Sequence, residues 1–410
     1  MINVTKALDI ILSYPGLAGI EKMPILDSLG RILAQDIKAK DNIPPFANSA
    51  MDGFALNSKD TKGAFSKTPQ AFKILRDLPA GTVTRKKLGC NETVRIMTGA
   101  VLPYGADCVI KKEDVKEVSS KKKHGYIYVF KEVECGENIR YAGEDVKKGE
   151  KVLTAGAKIG PAETGMLAAL GVGKIKIYKK PRVGIISTGD ELAEIGDKLR
   201  PGKIRNSNSY SLYASILDAA ALPFNFGVVS DKMKKIKDKI RQALKSGIDM
   251  LLISGGVSVG EYDYVKGALA DLGVKIKFWQ VAMRPGKPLV FAVSGKTMIF
   301  GLPGNPVSSL VCFEEFVRPA IMQRAGAREN PHRNVYAESL QTIEKKKGLT
   351  YFFRVKLEEQ NGKLFARLTG PQGSGILKSL VLADGIMVLP EEVEVVKKGD
   401  SVQVQLLKAQ

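Results

Sequence analysis

Three glycine-bearing segments follow or end strand-like apolar runs. Ser187-Thr188-Gly189-Asp190-Glu191-Leu192 closes the run 183–187. Ser254-Gly255-Gly256-Val257-Ser258-Val259-Gly260 follows 250–253 and leads to Asp263. Gly301-Leu302-Pro303-Gly304-Asn305-Pro306 follows 298–300 and opens a long helical pattern. Glycine permits tight turns and close approach of backbone to a ligand. Successive N–H groups in such turns, and at helix N-termini, bind anions. In doubly wound sheets ligands sit beyond the carboxyl ends of the strands. Three such loops in one region read as a phosphate or oxyanion cradle, against the alternative of ordinary tight turns.

Acids stand beside these loops. Asp190 and Glu191 follow one glycine turn and Asp263 another. Carboxylates near bound phosphates suit Mg²⁺, which uses few protein ligands plus water and phosphate oxygens. Helix capping is the other reading of each acid alone. Arg284-Pro285-Gly286-Lys287-Pro288 sets two cations about a rigid turn. Arg would clamp an oxyanion with a fork of donors and Lys would act as a point charge. A surface turn is the alternative.

Residues 181–325 supply the elements that must position these groups. Apolar runs at 183–187, 226–229 and 250–253 alternate with helical patterns at 209–220, 233–244 and 264–272. A hairpin is expected around Ser294-Gly295-Lys296, then a helix over about 307–324. Alternation of this kind means a largely parallel α/β sheet. The flanking regions differ. Residues 46–140 carry strand-like runs at 94–97, 108–110 and 126–130 among Gly, Pro and Asn. Residues 351–357, 364–368, 385–389 and 402–406 suggest a small β-barrel or sandwich. A helix is expected from Pro161 to Leu170.

Composition narrows the chemistry. Among 410 residues there are four cysteines (Cys90, Cys108, Cys135, Cys312), none in a C-x-x-C pair, and two histidines, His124 and His332. Zinc knuckles, dithiol redox motifs and His-based triads are therefore disfavoured. Any metal is expected to be a hard cation on carboxylate oxygens. No apolar run approaches the ~20 residues of a bilayer helix. The first 14 residues read as an amphipathic helix, not a signal peptide. A cytoplasmic location is expected. The net charge of +20 favours anionic partners. The runs Lys121-Lys122-Lys123 and Lys345-Lys346-Lys347 read as solvated turns, and no aromatic-basic platform for nucleic acid is evident.

Two upstream segments, Asn48–Ala55 (NSAMDGFA) and Arg95–Ala100 (RIMTGA), have no chemistry derivable from spacing. Together with STGDEL (187–192), SGGVSVGEYDY (254–264), RPGKP (284–288), GLPGNPVS (301–308) and GSGILKSL (373–380), they resemble the signature segments of the molybdopterin molybdenumtransferase (MoeA-like) family. The resemblance spans roughly residues 1–390.

It implies a multidomain α/β plus β subunit. An elongated N-terminal domain is formed from 1–45 and 141–178, with a β-rich domain inserted at 46–140. A doubly wound molybdopterin-binding α/β domain follows at 179–326, and a C-terminal β-barrel at 327–410. It also implies a homodimer with active sites in a shared cleft, and a contact with the molybdopterin adenylyltransferase. The implied substrates are adenylylated molybdopterin and molybdate. AMP leaves, molybdenum is taken by the dithiolene sulfurs, and Mg²⁺ assists.

Matching motif positions assign catalytic roles to Asp52, Thr98, Glu191 and Asp263, and metal binding to Asp190, Glu191 and Asp263. Substrate binding falls to Asp145, Thr188, Gly189, Asp231, Ser254, Gly255, Gly256, Ser258, Arg284, Lys287, Pro303, Gly304, Asn305, Arg354 and Ser374. The sequence departs from the family pattern at Gln280, where members often carry Lys, at Arg284, where some have Lys, and at Asp384, where members often have Asn. An adenylyltransferase, a non-enzymatic scaffold and a nucleic-acid binder are the competing readings.

Overall fold

The computed structural model describes residues 1–14, 16–118, 125–257, 264–328 and 332–407. The chain forms two compact units. One comprises residues 1–35, 155–160 and 174–410, and the other 36–154 and 161–173.

The larger unit is built on a six-stranded sheet. Its order is Leu222–Val229, Arg182–Thr188, Met250–Ser254, Thr297–Leu302, Val290–Ser294, Lys275–Phe278. The first four strands run parallel, Val290–Ser294 runs against them, and Lys275–Phe278 pairs antiparallel with Val290–Ser294. Met250–Ser254 is buried at every residue, as a central strand covered on both faces must be. Helices cover both faces. Ser207–Asp218 and the helix beginning at Pro306 pack with the N-terminal helix Val4–Leu12 into one apolar cluster. Met233–Lys245 and Tyr264–Asp271 form the second. Met233–Lys245 does so with Ile236, Ile240 and Ala243 on one stripe and its lysines outward, the pattern of a surface helix.

Two strands of this sheet differ from the sequence expectation. The strand expected at 226–229 begins at Leu222 and includes Pro223, which is tolerated because this is an edge strand. Lys275–Phe278, at the other edge, alternates polar and apolar residues too briefly to stand out. The expected long helix is present from Pro306 to Arg324, with a π-helical turn at Phe313–Val317.

The C-terminal part of this unit is a closed five-stranded barrel. Its strands run in the order Asn334–Ser339, Ser401–Leu406, Gly385–Leu389, Thr350–Gln360, Lys363–Leu368 and back to the first. Thr350–Gln360 closes it by pairing with Gly385–Leu389 through its first half and Lys363–Leu368 through its second.

The smaller unit holds a six-stranded sheet containing Cys108–Lys111, Gly53–Leu56, Glu92–Ile96, Gln70–Leu78, Tyr126–Val129 and Val115–Val118 in that order. It also holds the helix Pro161–Ala169. Among the described residues no helix is long and apolar enough to cross a membrane.

Candidate functional site

The strand ends of the parallel sheet are in register. Thr188 lies opposite Val229, Ser187 opposite Ser254, and Ser254 opposite Leu302. All three glycine loops therefore leave the sheet at one level. They interlock closely. A Cβ on Gly255, at φ +93°, would lie 2.4 Å from the Thr188 carbonyl oxygen, and one on Gly256 2.9 Å from Thr188 Oγ1. Gly255 N–H donates to the Leu302 carbonyl at 3.0 Å. Only glycine admits this approach.

The loops enclose a cleft of about 700 Å³. Thr188, Gly189, Glu191, Asp231, Ser254, Gly255, Gly256, Pro303, Gly304 and Asn305 all line it. Asp190 stands just outside the lining. Its N–H donates to Asp231 Oδ2 at 3.4 Å, and Asp231 N–H returns a bond to Asp190 Oδ1 at 3.3 Å. Burial, with Asp190 and Glu191 nearby, raises the Asp231 pKa.

One residue that spacing did not reveal organises the cleft. Asn208 is buried in the first turn of the helix Ser207–Asp218. Its Nδ2 donates to Ser254 Oγ at 2.8 Å and to the Gly304 carbonyl at 2.8 Å. It thus ties the second glycine loop to the third. Ser187 and Ser209 share a hydroxyl bond of 2.7 Å beneath the first loop. An Asn before a helical pattern signals a cap, as Asn206 is here. It does not signal that a second Asn will face two distant loops.

The cleft continues toward the barrel. A bay of about 290 Å³ shares Pro288, Pro303 and Asn305 with it and adds Arg284, Lys287 and Ser374. Asn305 Nδ2 donates to Ser374 Oγ at 3.0 Å, and Val307 N–H to the Ser374 carbonyl at 3.1 Å. The bay in turn shares Arg284, Pro285, Gln372 and Gly373 with a basin of about 630 Å³. That basin is lined by Arg284, Lys345, Lys346 and Arg354, with Glu344 its one carboxylate. Arg354 is 1% exposed. Its guanidinium donates to Ser379 Oγ and to the carbonyls of Phe352 and Gly373. Burial brings its pKa down to about 10. The expectation of a solvated turn at 345–347 fails at Lys345, which is buried, while Lys346 and Lys347 are exposed.

In the smaller unit Asp52 and Thr98 meet. Gly53 pairs with Ile96, so the residue before one strand lies beside the turn after the other. Asp52 Oδ1 accepts from Thr98 N–H at 2.8 Å and from Thr98 Oγ1 at 2.7 Å. These bonds hold the Asp52 carboxyl below its ordinary pKa. Gly53 is required because a Cβ there would stand 2.0 Å from the Ile110 carbonyl oxygen. Asp145 lies in an exposed turn of the same unit, with its N–H on the Ile43 carbonyl at 3.0 Å. Ser258, Asp263 and His124 lie outside the described residues.

Among the described residues no three His, Cys, Asp or Glu are grouped as a metal cage. Mg²⁺ does not need one. It is held by one or two carboxylates, water and substrate phosphates. Asp231 Oδ1 is buried without a hydrogen-bond partner at the rim of this oxygen-lined cleft. Asp190 and Asp231 interlock beside this cleft and Glu191 lines it, carboxylates of the type that a hard cation shared with a phosphate would take.

Comparison with known proteins accords with this geometry. Residues 2–171 match the model of the MoeA N-terminal region (domain I and II), 184–323 that described as a probable molybdopterin binding domain, and 336–407 the MoeA C-terminal region (domain IV). The chain is 37% identical to the molybdopterin molybdenumtransferase of Bacillus subtilis over 99% of its own length and 94% of that protein's. It is 33% identical to that of Haemophilus influenzae, covering 94% of this chain and 93% of that one. The crystal structure of a molybdopterin biosynthesis MoeA protein from Pyrococcus horikoshii superposes with a TM-score of 0.85 at 33% identity, covering both chains completely. The chain belongs to the molybdopterin molybdenumtransferase (MoeA) family.

Proposed function

We propose that this chain transfers molybdenum from molybdate to adenylylated molybdopterin and releases AMP. The observation that carries the reading is the continuous trough from the interlocked glycine loops to the barrel basin. One end offers glycine turns open to close approach, hydroxyls and carboxylates, which suit a metal-bound phosphate anhydride. The other offers cations, which suit an oxyanion. Water attacks the phosphoanhydride, the P–O bond breaks, AMP leaves, and the pterin keeps its own phosphate. The two pterin thiols bind molybdenum, and one molybdate oxygen departs as water with their protons.

Asp190, Glu191 and Asp231 would hold Mg²⁺, with Asp263 as a further carboxylate. When bound, the cation neutralises charge developing on the phosphate oxygens. The chain's own groups do the rest. Thr188, Gly189, Ser254, Gly255, Gly256, Ser258 and Gly304 cradle the phosphates, while Pro303 and Asn305 shape the turn toward Ser374. Glu191 or Asp263 accepts the proton of the attacking water. Arg284, Lys287 and Arg354 bind molybdate.

Asp52, Thr98 and Asp145 contribute through a homodimer whose active sites are shared. Exposed Phe46, Met51 and Met97 near that turn suit a covered surface. A cytoplasmic location accords with this role.

The test is AMP release from adenylylated molybdopterin with Mg²⁺, with and without molybdate, for the wild type and Glu191→Ala. Molybdate-dependent release that is lost in the variant is expected. ATP consumption with molybdopterin, and no release from the adenylate, would make the chain an adenylyltransferase instead.

A further inference from the structure

Lys345 is 9% exposed and Arg354 1%. Both line the same basin, yet neither has a carboxylate within ion-pair distance among the described residues. Lys345 Nζ makes one hydrogen bond, to the Leu349 carbonyl at 2.9 Å, which uses one of three donors. Arg354 uses three of five, all on neutral oxygens. Buried cations without a close counter-charge are costly, and a bound anion would offset that cost.

The Tyr351 ring carries a cation against it twice, Lys345 Nζ at 5.3 Å and the Arg284 guanidinium at 5.7 Å from its centroid. Tyr351 is fixed by stacking on Phe353 at 5.5 Å. A ring held this way orients two cations toward one basin without neutralising either. Burial lowers the Lys345 pKa, countered only in part by Tyr351 and by Glu392, Glu391 and Glu394 at longer range.

We propose that Lys345 is a direct ligand of a tetrahedral oxyanion in this basin, acting beside Arg284 and Arg354. The assignment rests on the transferase reading above, and its ligand is either free molybdate or the pterin's phosphate.

The test titrates molybdate into the full-length wild type, Lys345→Met and Lys345→Arg by calorimetry at fixed ionic strength, and measures the KM for adenylylated molybdopterin. Losing a charge-assisted bond should weaken the anion about tenfold or more in Lys345→Met. Lys345→Arg should recover most of it. A weakened molybdate Kd with unchanged pterin KM assigns the free oxyanion. The reverse assigns the phosphate. The melting temperature of Lys345→Met should be unchanged or higher, because an uncompensated buried charge has gone. Anion binding and KM both unchanged, or a lowered melting temperature, would make the lysine structural and overturn the proposal. In the unsubstituted protein, molybdate or the pterin substrate should protect Lys345 from amine acylation, read by mass spectrometry of its peptide. Absence of protection by both also overturns it. A wild type that neither binds molybdate nor releases AMP sinks the transferase reading itself.

Discussion

Asp190 and Asp231 clasp one another, each main-chain N–H donating to the other's carboxylate, at 3.4 and 3.3 Å. The clasp joins the ends of two neighbouring parallel strands, Arg182–Thr188 and Leu222–Val229. It leaves Asp231 Oδ1 buried and unpartnered. Asp231→Asn keeps an acceptor for the Asp190 N–H, removes the charge and turns the second oxygen into an NH2 donor. AMP release should fall about 10²-fold, and the Mg²⁺ concentration giving half-maximal rate should rise, with the melting temperature little changed. An unaltered Mg²⁺ dependence would remove Asp231 from the metal site.

The brace made by Asn208 is separable from the chemistry. Asn208→Ala strands Ser254 Oγ and the Gly304 carbonyl, and should cost about 1–3 kcal/mol in urea unfolding. Asn208→Asp is isosteric but lacks the donor, and should raise the KM for the pterin substrate as much as the alanine does. If the aspartate variant binds like the wild type, the donor function is not what holds the loops.

The two glycines at the loop junction should respond oppositely. Gly255→Ala drives a Cβ to 2.4 Å from a backbone oxygen at a φ of +93° and should destabilise by more than about 4 kcal/mol. Gly304→Ala meets only the Gly255 Cα at 3.7 Å, an ordinary contact. It should fold normally and bind substrate less well. Thermal melts distinguish the pair.

The Asp52 carboxyl owes its low pKa first to the Thr98 N–H and then to the Thr98 hydroxyl. Thr98→Val deletes the second. A carboxyl-resolved NMR titration should show the Asp52 pKa moving up, part of the way to the ordinary carboxylate range. The acid limb of the activity profile should move to higher pH with it.

Glu315, in the π-helical turn, is buried against Gln405 at 3.4 Å, and burial pushes its pKa up to about 8. A carboxyl neutral in the fold and ionised when unfolded contributes stability that is fully present below its ordinary pKa. That stability is lost as pH rises toward 8. Wild-type melting temperature should therefore decline from about pH 4.5 to 8 relative to Glu315→Gln. Parallel profiles for the two proteins would contradict the assignment.

Much of this molecule is legible in its sequence because periodicity and glycine placement are local. The alternation of strand and helix over 181–325, and the glycines at the strand ends, follow from side-chain spacing and from the conformations only glycine adopts. Once parallel strands align, those loops must share one edge, so the convergence of Thr188, Gly255 and Gly304 was foreseeable. The edge strand through Pro223 and the short Lys275–Phe278 were not, since sheet position decides whether such sequences pair. Nor were the contacts that turn loops into a site. Asn208 reaches Ser254 and Gly304 across 46 and 96 residues. Asp52 meets Thr98 only because Gly53 pairs with Ile96. Lys345 sits in a run with the composition of a solvated turn, yet the fold buries it against Tyr351. Burial and hydrogen bonding between distant segments are properties of the packed neighbours, so only the tertiary structure could decide them.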